Sequence, residues 1–200
     1  MSHAGTSGVV GQDASRGAQR AQPEISVVLA VRNNEEMVGH QIRSVARHLR
    51  GLGRQFEIVA VNDGSSDNSI AVATLLTKEV PELRILPRNV AGRAFLRGTS
   101  EARGSVVVLL EAGRPVSFAP LGWALSRLAA GREAVILRGR YIVARRLLAL
   151  PVIVRATGPG LLFEHVFERR AQEVGVDVVG SHPKRPTPFL LRPVLRFLAA

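Results

Sequence analysis

Residues 25–31 read Ile-Ser-Val-Val-Leu-Ala-Val, and a polar stretch, Arg32-Asn33-Asn34-Glu35-Glu36, follows at once. A nearly unbroken run of β-branched and aliphatic residues of this length marks a strand covered on both faces, as in a parallel sheet. Asn33 offers an N-cap, with Glu36 three positions on in the spacing of a capping box. Val38, Ile42, Val45 and Leu49 then recur at helical spacing, and Gly51 and Gly53 end the helix. A buried strand feeding an amphipathic helix is thus the opening unit.

The unit repeats. Residues 56–61 read as a second buried strand, and Asn62-Asp63-Gly64-Ser65-Ser66 is turn chemistry. Asp67 caps a helix carrying Ile70, Ala73 and Leu76. Residues 83–86 give a short third strand, 91–102 a helix, and 106–110 the most hydrophobic strand of all. A helix at 121–130 and a strand at 134–137 continue the alternation. The pattern predicts an α/β fold with a mostly parallel central sheet, right-handed crossovers and helices on both faces. Ligands of such sheets lie outside the carboxyl ends of the strands, near a topological switch point. The residues after Val31, Val61 and Leu110 are therefore the ones to inspect.

Composition narrows the chemistry. The 200 residues contain no cysteine, which excludes disulfides, thiolate metal sites and cysteine nucleophiles. The formal net charge is +11, carried mostly by arginine, and favours phosphate in any form: nucleotide diphosphate, nucleic acid or anionic lipid. No aromatic-interleaved basic stretch or nucleic-acid-binding motif is present, so no nucleic-acid partner is expected. Residues 1–24 read as a disordered lead-in, 25–183 as one folded domain, and 184–200 as a basic, apolar tail. No apolar run is long enough to cross a membrane as a helix.

Three strand ends carry the polar groups: Arg32, Asn33, Asn34 and Glu35 after the first, Asn62, Asp63 and Asp67 after the second, Glu111 and Arg114 after the fourth. Carboxylates at adjacent strand ends can gather around one ligand. One can accept hydrogen bonds from a base or ribose while another holds a divalent metal on a diphosphate.

Four segments in order resemble family 2 glycosyltransferases. Ile25-Ser26-Val27-Val28-Leu29-Ala30-Val31-Arg32-Asn33-Asn34-Glu35 is similar to that family's opening V-V-I-P-x-Y/R-N-E-E. Val59-Ala60-Val61-Asn62-Asp63-Gly64-Ser65-Ser66-Asp67-Asn68-Ser69 resembles its V-V-N/D-D-G-S-x-D-x-T/S signature. Pro87-Arg88-Asn89-Val90-Ala91-Gly92 resembles its N-x-G segment, and Ala102-Arg103-Gly104-Ser105 its A-x-G-D approach to the central strand. Gly160-Leu161-Leu162-Phe163-Glu164 is similar to the G-F-x-F-E helix of the polyprenyl-phosphate sugar transferase branch, and residues 176–183 to the strand after it.

The resemblance implies a GT-A, Rossmann-like fold, a UDP- or GDP-type sugar donor, and inverting in-line transfer of the sugar. A polyprenyl phosphate acceptor and a cytoplasmic, peripheral position on an anionic membrane surface go with that branch. Ala30, Arg32, Asn33, Asn34, Asp63, Gly64, Arg88, Gly92 and Arg140 would line the donor pocket, with Asp63 on the base or ribose. Glu111 and Glu164 would be the catalytic carboxylates. The family's fourth strand ends in Asp-x-Asp, which holds Mg2+ or Mn2+; here it is Glu111-Ala112-Gly113, so Glu111 alone remains as a metal ligand and binding is weakened. Arg138-Gly139-Arg140-Tyr141 and Val143-Ala144-Arg145-Arg146 match elements that are far apart in the family and nearly touch here. A catalytically degenerate nucleotide-sugar-binding relative is the alternative.

Each residue also has a plainer reading. Asp63 is ordinary turn chemistry, Asp67 a helix cap, Glu111 a strand end, Glu164 a partly exposed helix residue, and Arg88 part of a solvated arginine face. The tail is either a docked helix or a membrane-surface contact.

Overall fold

The computed structural model describes residues 22–87, 91–156 and 161–180, with only the backbone of Leu161, Leu162 and Gly180. Arg88 and the tail at 184–200 lie outside the described residues. Strand β1 (Ile25–Val31) leads into α1 (Glu35–Gly51), β2 (Phe56–Asn62), α2 (Ser69–Leu75) and β3 (Leu83–Leu86). Helix α3 (Ala94–Glu101) and β4 (Val106–Glu111) follow, then α4 (Leu121–Ala129) and β5 (Ala134–Leu137). The described chain finishes with β6 (Tyr141–Arg145), α5 (Arg146–Arg155), α6 (Leu161–Glu173) and β7 (Val178–Gly180).

The sheet order is β3-β2-β1-β4-β6-β5-β7. Strands β1 to β4 run parallel, β6 is antiparallel to both β4 and β5, and β7 is parallel to β5. The chain moves from β1 out to β3, then returns to lay β4 on the other side of β1. That reversal puts the switch point between the carboxyl ends of β1 and β4, where Ala30 pairs with Glu111.

The sequence of β1 shows no polar alternation because both of its faces are covered. Ile25, Val27, Leu29 and Val31 pack into one core with Val38, Ile42, Val45 and Leu49 of α1 and Leu121 of α4. Val28 enters the other core, with Phe95 of α3, Ile153 of α5 and Phe167 of α6. Each fully buried aliphatic side chain contributes about 1.5–3 kcal/mol of transfer free energy. Helix α3 lies so close to β1 that a Cβ on Gly98 would stand 2.2 Å from Val28 Cγ1. No side chain fits there.

The structure differs from the expected elements in four places. The capping box is not formed: α1 is entered through Asn34 with no side-chain cap, and Asn33 instead adopts a left-handed conformation with φ of 51°. The third helix starts at Ala94 rather than at 91, because Gly92 turns at φ of 79°. The stretch after Tyr141, which resembles two brought-together motifs, is a regular strand and helix, β6 and α5. The strand expected at 176–183 is found at Val178–Gly180.

A polar network closes the amino end of the sheet. Ser26 Oγ donates to Glu57 Oε1 at 2.6 Å, and the backbone N–H of Arg103 donates to the same oxygen at 2.7 Å. Arg84 Nε donates to Glu57 Oε2 at 2.8 Å, and the Gly104 N–H reaches Ser26 Oγ at 2.8 Å. A Cβ on Gly104 would stand 2.8 Å from the Ser26 nitrogen, so the loop before β4 approaches β1 only as glycine.

Candidate functional site

The loops after β1 and β2 are stitched to each other. The N–H of Asn33 donates to Ser65 Oγ at 3.3 Å, that of Asn34 to Ser69 Oγ at 2.7 Å, and that of Glu35 to Asp67 Oδ2 at 3.1 Å. In return Asn33 Oδ1 accepts the Ser66 N–H at 2.8 Å, and Glu35 Oε2 accepts the Asn68 N–H at 3.1 Å. Asp67 is not the N-cap of α2, which is Asn68 with no side-chain cap; it accepts the Ser69 N–H from one position earlier and so links the entrances of α1 and α2. The carboxamides of Asn33 and Asn34 are engaged within this loop pair; Asn34 Nδ2 donates to the Arg32 carbonyl at 2.5 Å.

Asp63 sits where β2 runs out, with its N–H on the Val31 carbonyl at 2.8 Å and its side chain buried. Its Oδ1 accepts the Gly92 N–H at 2.9 Å, at the entrance to α3. Burial pushes the Asp63 carboxyl above the usual aspartate range; the backbone N–H of Gly92, the Arg32 charge and the N–H groups of Arg93 and Ala94 oppose this without cancelling it. Asp63 is therefore more than a turn residue: it anchors the first turn of α3, and Gly64 beside it bends at φ of 88°. Arg32 is exposed next to it, and Ala30 lies half-covered at the switch point.

A second group gathers at the carboxyl end of β4. Glu111, Arg114, Gly139, Arg140 and Glu164 line a cleft of about 360 Å³ that is floored by Phe95 and Phe163. The two phenyl rings pack at 4.5 Å between centroids and join α3 to α6 beneath the carboxylates. The Gly139 N–H donates to Glu164 Oε2 at 2.9 Å, tying the β5–β6 turn to the start of α6. Burial holds the Glu164 carboxyl above the ordinary glutamate range. Arg138 and Arg114 act against that shift and the Glu111 charge adds to it, so both carboxylates share one field.

Two groups thus lie along the carboxyl edge of the sheet: Asp63, Gly64, Gly92 and Arg32 after β1 and β2, and Glu111, Glu164, Arg114 and Arg140 at the end of β4, with the paired Ala30 and Glu111 in the strands between. The sequence reading did not single out Gln41. This side chain is buried on α1, donates through Nε2 to the Glu111 carbonyl at 3.1 Å, and accepts the Gly113 N–H through Oε1 at 3.2 Å. Its signal was in the sequence as one glutamine beside Val38 and Ile42 on an otherwise apolar helix face. The Phe95–Phe163 contact had no such signal, since it joins helices far apart in the chain.

Residues 26–112 match the family model for glycosyl transferase family 2. Undecaprenyl-phosphate 4-deoxy-4-formamido-L-arabinose transferase of Pseudomonas paraeruginosa (strain DSM 24068 / PA7) is 36% identical over 92 residues, covering 44% of this chain and 27% of that protein. The protein of the same name from Pectobacterium carotovorum subsp. carotovorum (strain PC1) is 37% identical over 93 residues, 44% of this chain and 28% of its own. The matches thus span little more than a quarter of those relatives. Among solved structures, glucosyl-3-phosphoglycerate synthase from Mycobacterium tuberculosis, in complex with Mn2+, UDP and phosphoglyceric acid, superposes with a TM-score of 0.56 at 20% identity, over 82% of this chain and 72% of that one. The mannosyltransferase PcManGT from Pyrobaculum calidifontis, in complex with GDP-Man and Mn2+, gives 0.61 at 17% identity over 80% and 55%. The fold is GT-A.

Proposed function

We propose that this chain, whose residues 26–112 match the family model for glycosyl transferase family 2, transfers a sugar from a nucleotide diphosphate donor to a polyprenyl phosphate. The observation that carries the proposal is the cleft at the carboxyl end of β4, where two carboxylates and two arginines meet, on the same edge of the sheet as the buried Asp63 after β2. Asp63, Gly64, Gly92, Ala30 and Arg32 hold the nucleoside of a UDP or GDP sugar. The acceptor oxygen attacks the anomeric carbon in line as the bond to the diphosphate breaks, and the diphosphate leaves with the electron pair. Inversion at that carbon follows from the single displacement. Glu111 and Glu164 orient the acceptor and take its proton where it carries one, and Arg114 and Arg140 stabilise the charge on the leaving group.

The relatives named for undecaprenyl phosphate support the acceptor class. The surface of α5 supports a position against an anionic membrane. Leu147 is 75% exposed and Val154 59% exposed on one helical face, with Arg145 and Arg155 exposed at its ends. In this reading the contact is peripheral and at the cytoplasmic face, made by that exposed apolar and basic surface; no helix among the described residues is long and apolar enough to cross a membrane.

Incubation of the chain with labelled UDP and GDP sugars and undecaprenyl phosphate in vesicles is expected to move label into the lipid phase. The Asp63→Ala variant is expected to leave it in the aqueous phase. Nucleotide binding without any labelled lipid replaces the transferase reading with the binding-only alternative.

A further inference from the structure

Divalent cations on diphosphates are held by strand-end carboxylates, and the residues at the end of β4 do not fit one. Glu111 closes the strand, and the position two residues on is Gly113, at φ of 102°. A Cβ there would lie 1.7 Å from Asn34 Oδ1 and 2.6 Å from Asn34 Cγ. Asn34 is fastened in place: its N–H is on Ser69 Oγ at 2.7 Å and its Nδ2 on the Arg32 carbonyl at 2.5 Å. The facing turn is held as well, by Gln41 on the Glu111 carbonyl and the Gly113 N–H. A side chain at 113 is therefore opposed by both the backbone conformation and its neighbour. Among the described residues no three His, Cys, Asp or Glu side chains gather where a metal ion could be held.

We infer that Asn34 and Gly113 form an interlock that closes the position of a second metal-binding carboxylate, so that the site takes a nucleoside diphosphate without a divalent cation. The counter-charges are Arg114, which follows Gly113 directly, and Arg140 across the cleft. A guanidinium is charged at every physiological pH and can meet two phosphate oxygens at once, which gives directional neutralisation without a metal. The arginines rest on the donor-binding reading above; the interlock stands on its geometry alone.

UDP and GDP titrated calorimetrically into the full chain, once with Mn2+ and once with EDTA, are expected to give dissociation constants that agree within about threefold. Weakening of tenfold or more in EDTA overturns the inference and leaves the donor reading standing. Failure of both nucleotides to bind in either buffer overturns the metal-free diphosphate site and the proposed function together. Arg114→Ala is expected to weaken nucleotide binding about tenfold or more with little change in Tm; unchanged affinity removes that arginine from the site. The interlock is read by thermal unfolding. Gly113→Asp is expected to lower Tm by about 5 °C, and by clearly less when Asn34 is first replaced by Gly. Equal shifts in the two backgrounds overturn it. Should Gly113→Asp fail to fold, Gly113→Ala gives the same comparison.

Discussion

Strand β2 has a buried carboxylate at each end, and the protein treats the two in opposite ways. Glu57 and Asp63 are about equally covered, at 6% and 8% exposure. Burial raises the Glu57 carboxyl, but the guanidinium of Arg84, the Ser26 hydroxyl and the Arg103 N–H more than offset it, and its proton affinity ends below the ordinary glutamate value. Asp63 meets backbone N–H groups at the start of α3 and the more distant charge of Arg32, with no ion pair to a side chain among the described residues, and ends above the ordinary aspartate value. Burial is common to both; the difference lies in how completely the charge is answered. A fully answered carboxylate at the amino ends of the strands closes the sheet. An under-answered one at the carboxyl ends lies where ligands of such sheets bind, which is the place the proposed function gives to the donor.

Removing the answered charge has the largest expected effect. Glu57→Ala leaves Arg84, Ser26 and the Arg103 N–H without their shared acceptor and is expected to cost about 3 kcal/mol of unfolding free energy, measured by denaturant titration. Nucleotide affinity of the protein that remains folded is expected to be unchanged; a loss of affinity matching the loss of stability would erase the distinction between the two ends. Asp63→Asn retains an oxygen for the Gly92 N–H and is expected to cost less than about 1 kcal/mol. It should nevertheless weaken UDP or GDP binding about tenfold or more by calorimetry.

The smallest effect is in the pH dependence. The contribution of Glu57, with its lowered value, is present above the unfolded glutamate pKa of about 4.3 and is lost as the pH falls through the lower folded value. Asp63, with its raised value, has the opposite slope: it favours folding below the unfolded aspartate pKa of about 3.9, and that advantage disappears as the pH rises through the folded value. The two oppose each other in acid. Glu57→Gln is therefore expected to flatten the acid loss of stability and Asp63→Asn to steepen it, in unfolding curves taken from neutral pH downward. Identical pH profiles in the two variants would show that the carboxylates are equivalent after all.

The sequence displayed the parallel half of the fold because β1, β2 and β4 are covered on both faces and their apolar runs are nearly continuous. The strand-end position of Asp63 and Glu111 followed from that pattern. What local pattern could not display was pairing across the chain. Asn33 has the right spacing to cap α1, yet its side chain bonds Ser66, because the loop after β2 lies within reach only once the sheet has formed. Glu57 reads as one polar residue at the edge of a strand until Arg84 and Arg103 arrive from 27 and 46 residues away. Strand β6 was hidden for another reason: its direction is set by the hairpin with β5, and residues 138–141 and 143–146 resemble two motifs that are far apart in the family.

The stitching of residues 33–35 to 65–69 has a consequence for how such a chain can vary. Donors and acceptors alternate between the two loops at single-residue register, so one inserted residue in either would carry every later partner out of reach. The two loops therefore behave as a unit of fixed length, open to substitution but closed to growth. Length can change on the other flank of the sheet, where the tight turn at Gly139 joins β5 to β6.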